Sequence, residues 1–166
     1  LASAHPDLPI LLGVEPEGPD AGYGWIEPGE MIGKQMEVEL SLVRRFWEKP
    51  DPRKAQALYL KGCLWNTLIL VCQAERLLQM FKAYVPAVFR RFERIRRALG
   101  SVSEGRVLEE AYQRLTSVNF SKAILEKKVE RLGVIPMKGV HWSDWGDPAR
   151  ILKSLTRWGL RPNPPV

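Results

Sequence analysis

The chain has 166 residues, of which 45% are hydrophobic and 27% are charged, and these values are normal for a globular protein of one domain. The composition therefore excludes intrinsic disorder and collagen-like repeats, and no apolar run approaches the ~20 residues that a membrane-spanning helix needs. The formal net charge of +6 keeps nucleic acid among the ligands to be considered.

The first third of the chain predicts three strands and one helix. Residues 8–14 (LPILLGV) predict a short buried strand, and residues 36–47, which alternate in part, predict another. Between them, the glycine-punctuated segment GYGWIEPGE leaves room only for a very short strand at Tyr23–Ile26. Asp51, which is followed by proline, predicts the start of a helix, and Gly62 predicts its end.

The rest of the chain alternates between predicted strands and helices. The continuous apolar run at 64–71 predicts a buried strand of the parallel type, and GVIPM at 133–137 predicts a final strand. Helices are predicted over 73–83, 86–99 and 104–115, from near Ser117 or Asn119, and after the cap Asp147. The tail at 161–166 is predicted to be frayed. This order of elements predicts an α/β layer architecture.

Most of the positive charge lies in the segment RRFERIRR, at Arg90–Arg97. At the helical period, one stripe collects the apolar residues Phe89, Phe92, Ile95 and Leu99, and the arginines surround it. We interpret the segment as a solvated helix face, and the alternative is a patch that binds phosphate groups. Nucleic acid is therefore not the expected partner.

The cysteines and histidines carry little chemistry. Cys63 and Cys72 lie in one apolar stretch and make no disulfide framework. We interpret both as buried free thiols, and the alternative is a bridge between them. Free thiols are typical of a reducing cytosol, so a cytoplasmic location is expected. Two histidines are too few for a histidine-based metal cage, and we interpret His141 as a hydrogen-bonded structural residue.

Four short segments combine glycine, charge and aromatic residues where strands are predicted to end. Gly24, in GYGW, would let the backbone approach a ligand closely, and the alternative is a tight turn. Glu48 would hold a polyol and Lys49 a phosphate, or the two form an exposed ion pair. Asn66 offers a donor and an acceptor to vicinal hydroxyls, or forms a turn. Asp144, between two tryptophans, suits a hard cation such as Mg²⁺, or forms an Asx turn.

These segments occur in a specific order along the chain: LLGVEPEGPDAGYGWIEPGE, VRRFWEKPD, GCLWNTLILV, SVNFSKAILEK and GVIPMKGVHWSDWGDPARIL. In that order they resemble the sugar-phosphate nucleotidyltransferases, and most closely the mannose-1-phosphate guanylyltransferase branch. The resemblance implies an α/β, Rossmann-like nucleotide-diphospho-sugar transferase fold with a mixed sheet flanked by helices. It also implies an enzyme that joins an NTP (GTP in this branch) to a sugar 1-phosphate (mannose 1-phosphate) and releases pyrophosphate.

The resemblance assigns roles to particular residues. Gly24 would contact the sugar through its backbone, while Glu48 and Asn66 would bind the sugar through their side chains. Lys49 would bind the phosphate, and Asp144 would be one of two aspartates that hold Mg²⁺, so Lys49 and Asp144 are the expected catalytic residues. Such chemistry relies on positioning and charge neutralisation more than on covalent catalysis.

The sequence departs from the family pattern at three places. Leu68 stands where the family has glycine, and Asn119 stands in a segment where the family has aspartate, so no role is assigned to Glu126–Lys127. The Gly-rich loop that cradles the triphosphate in the family is not found in these residues.

We therefore expect residues 1–166 to be a partial nucleotidyltransferase domain, the half that binds the sugar phosphate. Its expected partner is the missing N-terminal half, which binds the nucleotide, and a homo-oligomer is conceivable. The chain alone is expected to be inactive and to expose a sheet edge or an apolar face. The alternative is a non-catalytic or regulatory module of the same fold that binds sugar phosphates.

Overall fold

A computed structural model describes residues 2–160 of the chain. The strands are β1 (Ile10–Val14), β2 (Gly24–Gln35), β3 (Val38–Glu48), β4 (Leu64–Val71) and β5 (Gly133–Met137). The helices are α1 (Pro52–Leu60), α2 (Ala74–Tyr84), α3 (Pro86–Ala98), α4 (Glu104–Gln113) and α5 (Pro148–Arg157). The frayed tail predicted at 161–166 lies outside the described residues.

The described strands form one mixed sheet that closes on itself. Their order is β1–β4–β2–β3–β5, and β5 returns to pair with β1. The β1–β5 pair is parallel and the other neighbouring pairs are antiparallel, so the predicted mixed sheet with flanking helices is confirmed. The parallel interpretation of residues 64–71 is wrong, because β4 runs antiparallel to both neighbours. A continuous apolar run indicates burial but does not fix strand direction.

The sheet closes unevenly around β4. Strand β2 pairs with β4 only at Trp25 and Ile26, whereas β1 pairs along β4 as far as Val71. The second half of β4 is consequently open to solvent: Leu68 is 56% exposed, and Ile69 and Val71 are each 46% exposed. An apolar surface of the kind expected from the sequence is therefore present on this strand.

Two hydrophobic cores lie on opposite faces of the strands. Ile26 and Leu64 belong to the first core, which extends to α2 and to the turn that precedes β5. Trp25 and Trp65 belong to the second core, which α1 covers through Leu58. Because adjacent residues of a strand point to opposite faces, these neighbouring pairs separate into different cores.

Capping residues place two helices where the sequence predicts them. The Asp51 carboxylate accepts a hydrogen bond of 2.9 Å from the Lys54 N–H at the start of α1. The Asp147 carboxylate accepts hydrogen bonds from the Ala149 and Arg150 N–H groups, at 2.9 and 3.1 Å, at the start of α5. Both aspartates satisfy N–H groups that a helix start leaves without partners.

Strand β2 is much longer than the short strand predicted at Tyr23–Ile26. It has 12 residues and forms a hairpin with β3 around Met36, which has a φ of 54°. The glycine-punctuated segment GYGWIEPGE predicts a much earlier end for this strand. The pairing of β2 with β3 instead shifts register near Pro28, and irregularities of this kind accommodate proline and glycine within a strand.

The helical region between β4 and β5 follows the prediction in part. The helix expected from near Ser117 or Asn119 is reduced to one π-helical turn at Ser121–Leu125. On α3, Ile95 is buried, while Phe92 is 46% and Leu99 is 59% exposed, so the predicted apolar stripe is only partly covered.

Two arginines of α3 pair with glutamates, as is common on a solvated helix face. Arg96 contacts Glu93 at 2.9 Å, and Arg94 contacts Glu110 at 3.4 Å. Elsewhere, both cysteines are free thiols, and Cys63 is buried. None of the helices described is long and apolar enough to cross a membrane.

Candidate functional site

Three of the predicted site residues converge where β2, β3 and β4 meet. The register places Gly24 opposite Glu48, and the pairing of Trp25 with Trp65 places Asn66 across from Gly24. A methyl group built on Gly24 would lie 3.0 Å from Oε2 of Glu48 and 3.3 Å from Cβ of Asn66. The position therefore favours glycine because two polar side chains close in on it.

Two residues that the sequence analysis left without a role belong to the same group. The Glu48 N–H donates to Oε1 of Glu126 at 2.6 Å, and Nδ2 of Asn119 donates to Oε1 of Glu48 at 3.5 Å. Asn119 also accepts from the Lys122 N–H at 2.9 Å, which fixes the turn that carries it. Carboxylates and amides in one cluster suit a ligand with several hydroxyl groups. The resemblance of this segment to the family pattern, despite asparagine in place of the family's aspartate at position 119, is the signal that could have identified it.

Lys49 lies directly after the end of β3. It has a φ of 51°, its side chain is exposed, and its N–H donates to the Tyr23 carbonyl at 3.3 Å. Because the strand ends at Glu48, Lys49 is released from strict alternation, which is the condition for both residues to reach one ligand. Its phosphate-binding role stays a prediction.

Strand β4 has a strained backbone at Leu68, two residues after Asn66. Oδ1 of Asn66 accepts from the Leu68 N–H at 3.1 Å. Thr67 Oγ1 donates to the Leu12 carbonyl at 2.7 Å and accepts from the Ile69 N–H at 3.2 Å. Leu68 has a φ of 61°, a left-handed conformation that glycine adopts without cost. The glycine-to-leucine departure seen in the sequence thus falls on a residue whose backbone favours glycine.

Asp144 lies in a different group, centred on Arg150. Both carboxylate oxygens of Asp144 accept from Nη1 of Arg150 at 3.0 Å. Nη2 of Arg150 donates to both oxygens of Asp20 at 3.1 Å, and Nε contacts Asp147 at 3.3 Å. The guanidinium also stacks 4.0 Å from the centre of the Tyr23 ring. Burial disfavours this cation, but the carboxylates outweigh it and raise the pKa of Arg150.

The resemblance implies Mg²⁺ at Asp144, and the arrangement of donors does not fit a divalent cation. Among the side chains that the structure describes, no three or more His, Cys, Asp or Glu residues are placed to hold a metal ion. Both oxygens of Asp144 already accept from one guanidinium, whereas Mg²⁺ would need at least one of them. The expectation of Mg²⁺ stays a prediction from the resemblance.

A cavity of about 260 Å³ lies beside the Arg150 group. Its walls include the rings of Tyr23, Trp65, Trp142 and Trp158. The Tyr23 and Trp65 rings are 4.5 Å apart between centroids, and burial raises the pKa of the Tyr23 hydroxyl. The buried Nε1 of Trp65 has no hydrogen-bond partner among the residues described.

Glu17 fastens α5 to the loop that follows β1. Lys153 donates to its carboxylate at 3.0 Å and Arg157 at 2.6 Å. His141 is 3.0 Å away through Nδ1, and its Nε2 is 2.7 Å from Arg157, so Nδ1 carries the proton. The hydrogen bond from Lys153, together with those from Arg157 and His141, lowers the pKa of Glu17 to about 2. His141 is hydrogen-bonded on both sides, as the structural interpretation predicted.

The predicted site residues therefore divide between two faces of the sheet. Gly24 and Asn66 lie on the face of the first core, since they are the strand neighbours of Trp25 and Trp65. Asp144 belongs to the face of the second core, where its partner Arg150 stacks on Tyr23.

The sequence of this chain is similar to those of several curated proteins, although no family model matches it. The mannose-1-phosphate guanylyltransferase of Escherichia coli (strain K12) is 30% identical over 139 residues, which are 82% of this chain and 29% of that protein. ManC of Salmonella typhimurium, also a mannose-1-phosphate guanylyltransferase, is 29% identical over 82% of this chain and 28% of its own length. The xanthan biosynthesis protein XanB of Xanthomonas campestris (strain B100) is 28% identical over 91% of this chain and 31% of its own length.

Solved structures share the fold. A protein of Thermus thermophilus, described as a mannose-1-phosphate geranyltransferase, has a TM-score of 0.64 at 24% identity, over 83% of this chain and 37% of its own. The mannose-6-phosphate isomerase of Helicobacter pylori has a TM-score of 0.63 at 22% identity, over 85% of this chain and 53% of its own. These likenesses confirm the predicted α/β fold class.

The chain spans about 30% of the length of the curated relatives it matches. The resemblance inferred from the five segments is confirmed: this chain is a homologue of the mannose-1-phosphate guanylyltransferases.

Proposed function

We propose that this chain supplies the sugar-phosphate side of a nucleotidyl transfer. In that reaction a sugar 1-phosphate, mannose 1-phosphate in this proposal, attacks the α-phosphorus of an NTP, GTP in this proposal, and releases pyrophosphate. The relatives support nucleotidyl transfer to a sugar phosphate in general. The observation that carries the proposal for this chain is the convergence of Gly24, Glu48 and Asn66 at the meeting point of three strands.

The contacts of each residue indicate its task in the proposed site. Oε1 of Glu48 already accepts from Asn119, so Oε2, which faces Gly24, is the oxygen that would accept from a sugar hydroxyl. Oδ1 of Asn66 accepts from a backbone N–H, so its Nδ2 is the atom that would donate to the sugar. Lys49 would place its ammonium group on the phosphate as a point charge. These residues position the nucleophile, which lowers the entropic cost of bringing two substrates together.

The nucleotide would be bound by residues outside this chain. The relatives are about three times longer than the segment they share with it, and the proposed partner is an N-terminal half of the same domain. We therefore expect the chain to bind sugar 1-phosphate alone but to turn nothing over alone. A cytoplasmic location accords with the free thiols of Cys63 and Cys72.

A second candidate is a non-catalytic module that binds sugar phosphates. Two observations favour it: Leu68 occupies a glycine conformation beside Asn66, and Arg150 occupies the oxygens of Asp144. The genomic sequence upstream of Leu1 separates the candidates, because an in-frame Gly-rich loop there would contradict the module.

Isothermal titration of the 166-residue chain with mannose 1-phosphate tests the sugar site. We expect Glu48→Gln to weaken binding at least tenfold, because a charged acceptor contributes about 1.5–3 kcal/mol to a hydrogen bond. Glu30→Gln, an exposed change on the same hairpin, is the matched control and should bind like the wild type. Equal affinity of Glu48→Gln and the wild type would show that the proposed site is wrong.

A further inference from the structure

Arg150 joins three aspartates that come from two separate segments. Asp20 lies in the loop between β1 and β2, and Asp144 and Asp147 lie in the loop that precedes α5. Every nitrogen of the guanidinium is engaged with one of these carboxylates. The Arg150 side chain is only 18% exposed, while its three carboxylate partners remain 36–47% exposed. Planar guanidinium–carboxylate pairs of this kind are among the stronger polar contacts in proteins.

The place that the guanidinium occupies is shaped by the backbone around it. A methyl group built on Gly22 would collide with Nη2 of Arg150. The Gly22 N–H donates to Oδ1 of Asp20 at 2.7 Å, which turns that carboxylate toward the arginine. The Tyr23 ring covers the guanidinium face at 4.0 Å. The space between Gly22, Asp20 and Tyr23 therefore matches the planar shape and the charge of the Arg150 guanidinium.

Arg150 does at Asp144 what a divalent cation would do there. It neutralises the carboxylate, uses both oxygens, and links the Asp144 loop to the loop of Asp20. A guanidinium cannot lose its charge at physiological pH, so this neutralisation is permanent. A free cation would have to displace a guanidinium that is covalently attached to the chain and already paired with three carboxylates.

We propose that Arg150 takes the place of a divalent cation at Asp144, so that this carboxylate does not bind metal ions in the folded chain. The proposal concerns the Arg150 group alone and stands whether or not the sugar site functions as proposed. It makes Arg150 a positioning residue, because it holds the Asp144 loop through Asp144 itself.

Titration of the 166-residue chain with Mn²⁺, followed by the electron paramagnetic resonance signal of the free ion, tests this proposal. We expect the wild type and Asp144→Asn to bind Mn²⁺ equally, within twofold. Gly22→Ala keeps every charge but displaces the guanidinium, and we expect it to bind Mn²⁺ at least tenfold more tightly than the wild type. Adding Asp144→Asn to Gly22→Ala should abolish that gain.

The matched control is Gly18→Ala, since a methyl group there meets open space in the same loop. It should leave Mn²⁺ binding unchanged. If Gly22→Ala fails to fold, Arg150→Gln replaces it with the same expected gain. Wild-type binding that Asp144→Asn weakens tenfold would overturn the proposal, and so would a folded Gly22→Ala or Arg150→Gln variant without any gain. The comparison of wild type with Asp144→Asn needs neither of those variants.

Discussion

The left-handed backbone at Leu68 predicts that glycine and alanine will reverse their usual order of stability there. Leu68 has a φ of 61° and an exposed side chain, while its neighbour Ile69 has no such backbone strain. Replacing each residue by alanine and by glycine gives two pairs of variants. Within a pair nearly the same side chain is lost, so the difference between its two members reports chiefly on the backbone.

The expected magnitudes follow from two opposing terms. A residue with a Cβ loses about 1–2 kcal/mol in the left-handed conformation. Glycine loses about 0.4–1 kcal/mol through the greater freedom of its unfolded chain. At Leu68 the first term is the larger, so we expect glycine to be more stable than alanine by about 0.5–1 kcal/mol. At Ile69 only the second term acts, and alanine should be more stable than glycine by about 0.5–1 kcal/mol.

Urea unfolding of the 166-residue chain, followed by tryptophan fluorescence, measures both differences as free energies of unfolding. The sign at Ile69 is the internal control, because it must show the ordinary preference of a strand. A Leu68→Ala variant as stable as Leu68→Gly, with the control behaving normally, would refute the assignment of strain to this residue.

Three further predictions concern packing, charge and a buried hydroxyl. Gly24→Ala should lower the free energy of unfolding by about 1 kcal/mol, because the added methyl group crowds Glu48 and Asn66. Gly105→Ala is the control: the added methyl group meets open space on a helix, so the free energy of unfolding should rise by about 0.5–1 kcal/mol. Equal effects of the two changes in urea titrations would contradict the close approach at Gly24. The pKa of Glu17 is about 2 in the folded chain, below the ordinary 4.5, so the contribution of Glu17 to stability is complete above pH 4.5 and is lost as the pH falls toward 2. Glu17→Gln should remove that part of the pH dependence of the free energy of unfolding. An unchanged pH profile in this variant would contradict the lowered pKa. Thr67→Val should cost about 1 kcal/mol, measured in the same way, because the Leu12 carbonyl loses its donor; a neutral effect would show that the hydrogen bond contributes nothing.

Much of the secondary structure could be predicted, because apolar runs and helix-capping residues are visible in the local sequence. Strand β4 has the predicted bounds at Leu64–Val71, and α1 and α5 begin after the predicted caps Asp51 and Asp147. The full length of β2 could not be predicted, because proline is rare inside strands. Only the pairing of β2 with β3 shows that Pro28 is tolerated within this strand. The closure of the sheet could not be predicted either, because the pairing of strands depends on residues that are distant in the sequence.

The sequence predicted part of the candidate site, but not that Asp144 lies in a separate group from Gly24, Glu48 and Asn66. The resemblance groups Gly24, Glu48 and Asn66, and the structure brings the side chains of Glu48 and Asn66 together beside the Gly24 backbone. Arg150 was missed, because in DPARIL it has the pattern of an ordinary helix residue and its partner Asp20 is 130 positions away. An excess of aspartates around the loop at Asp144 was the available signal, since such a cluster needs a cation nearby.

The narrow β2–β4 pairing has a consequence for how ligand binding and folding are coupled. Glu48 belongs to the β2–β3 hairpin and Asn66 to β4, and between these elements the sheet pairs only at Trp25 and Ile26. Partial opening of the native state should begin at such a narrow junction. A sugar phosphate held by both Glu48 and Asn66 would act as a clasp across it. Hydrogen exchange at the junction would then become slower as more of the protein is bound to substrate. Part of the binding free energy would be used to hold the β2–β4 pairing closed.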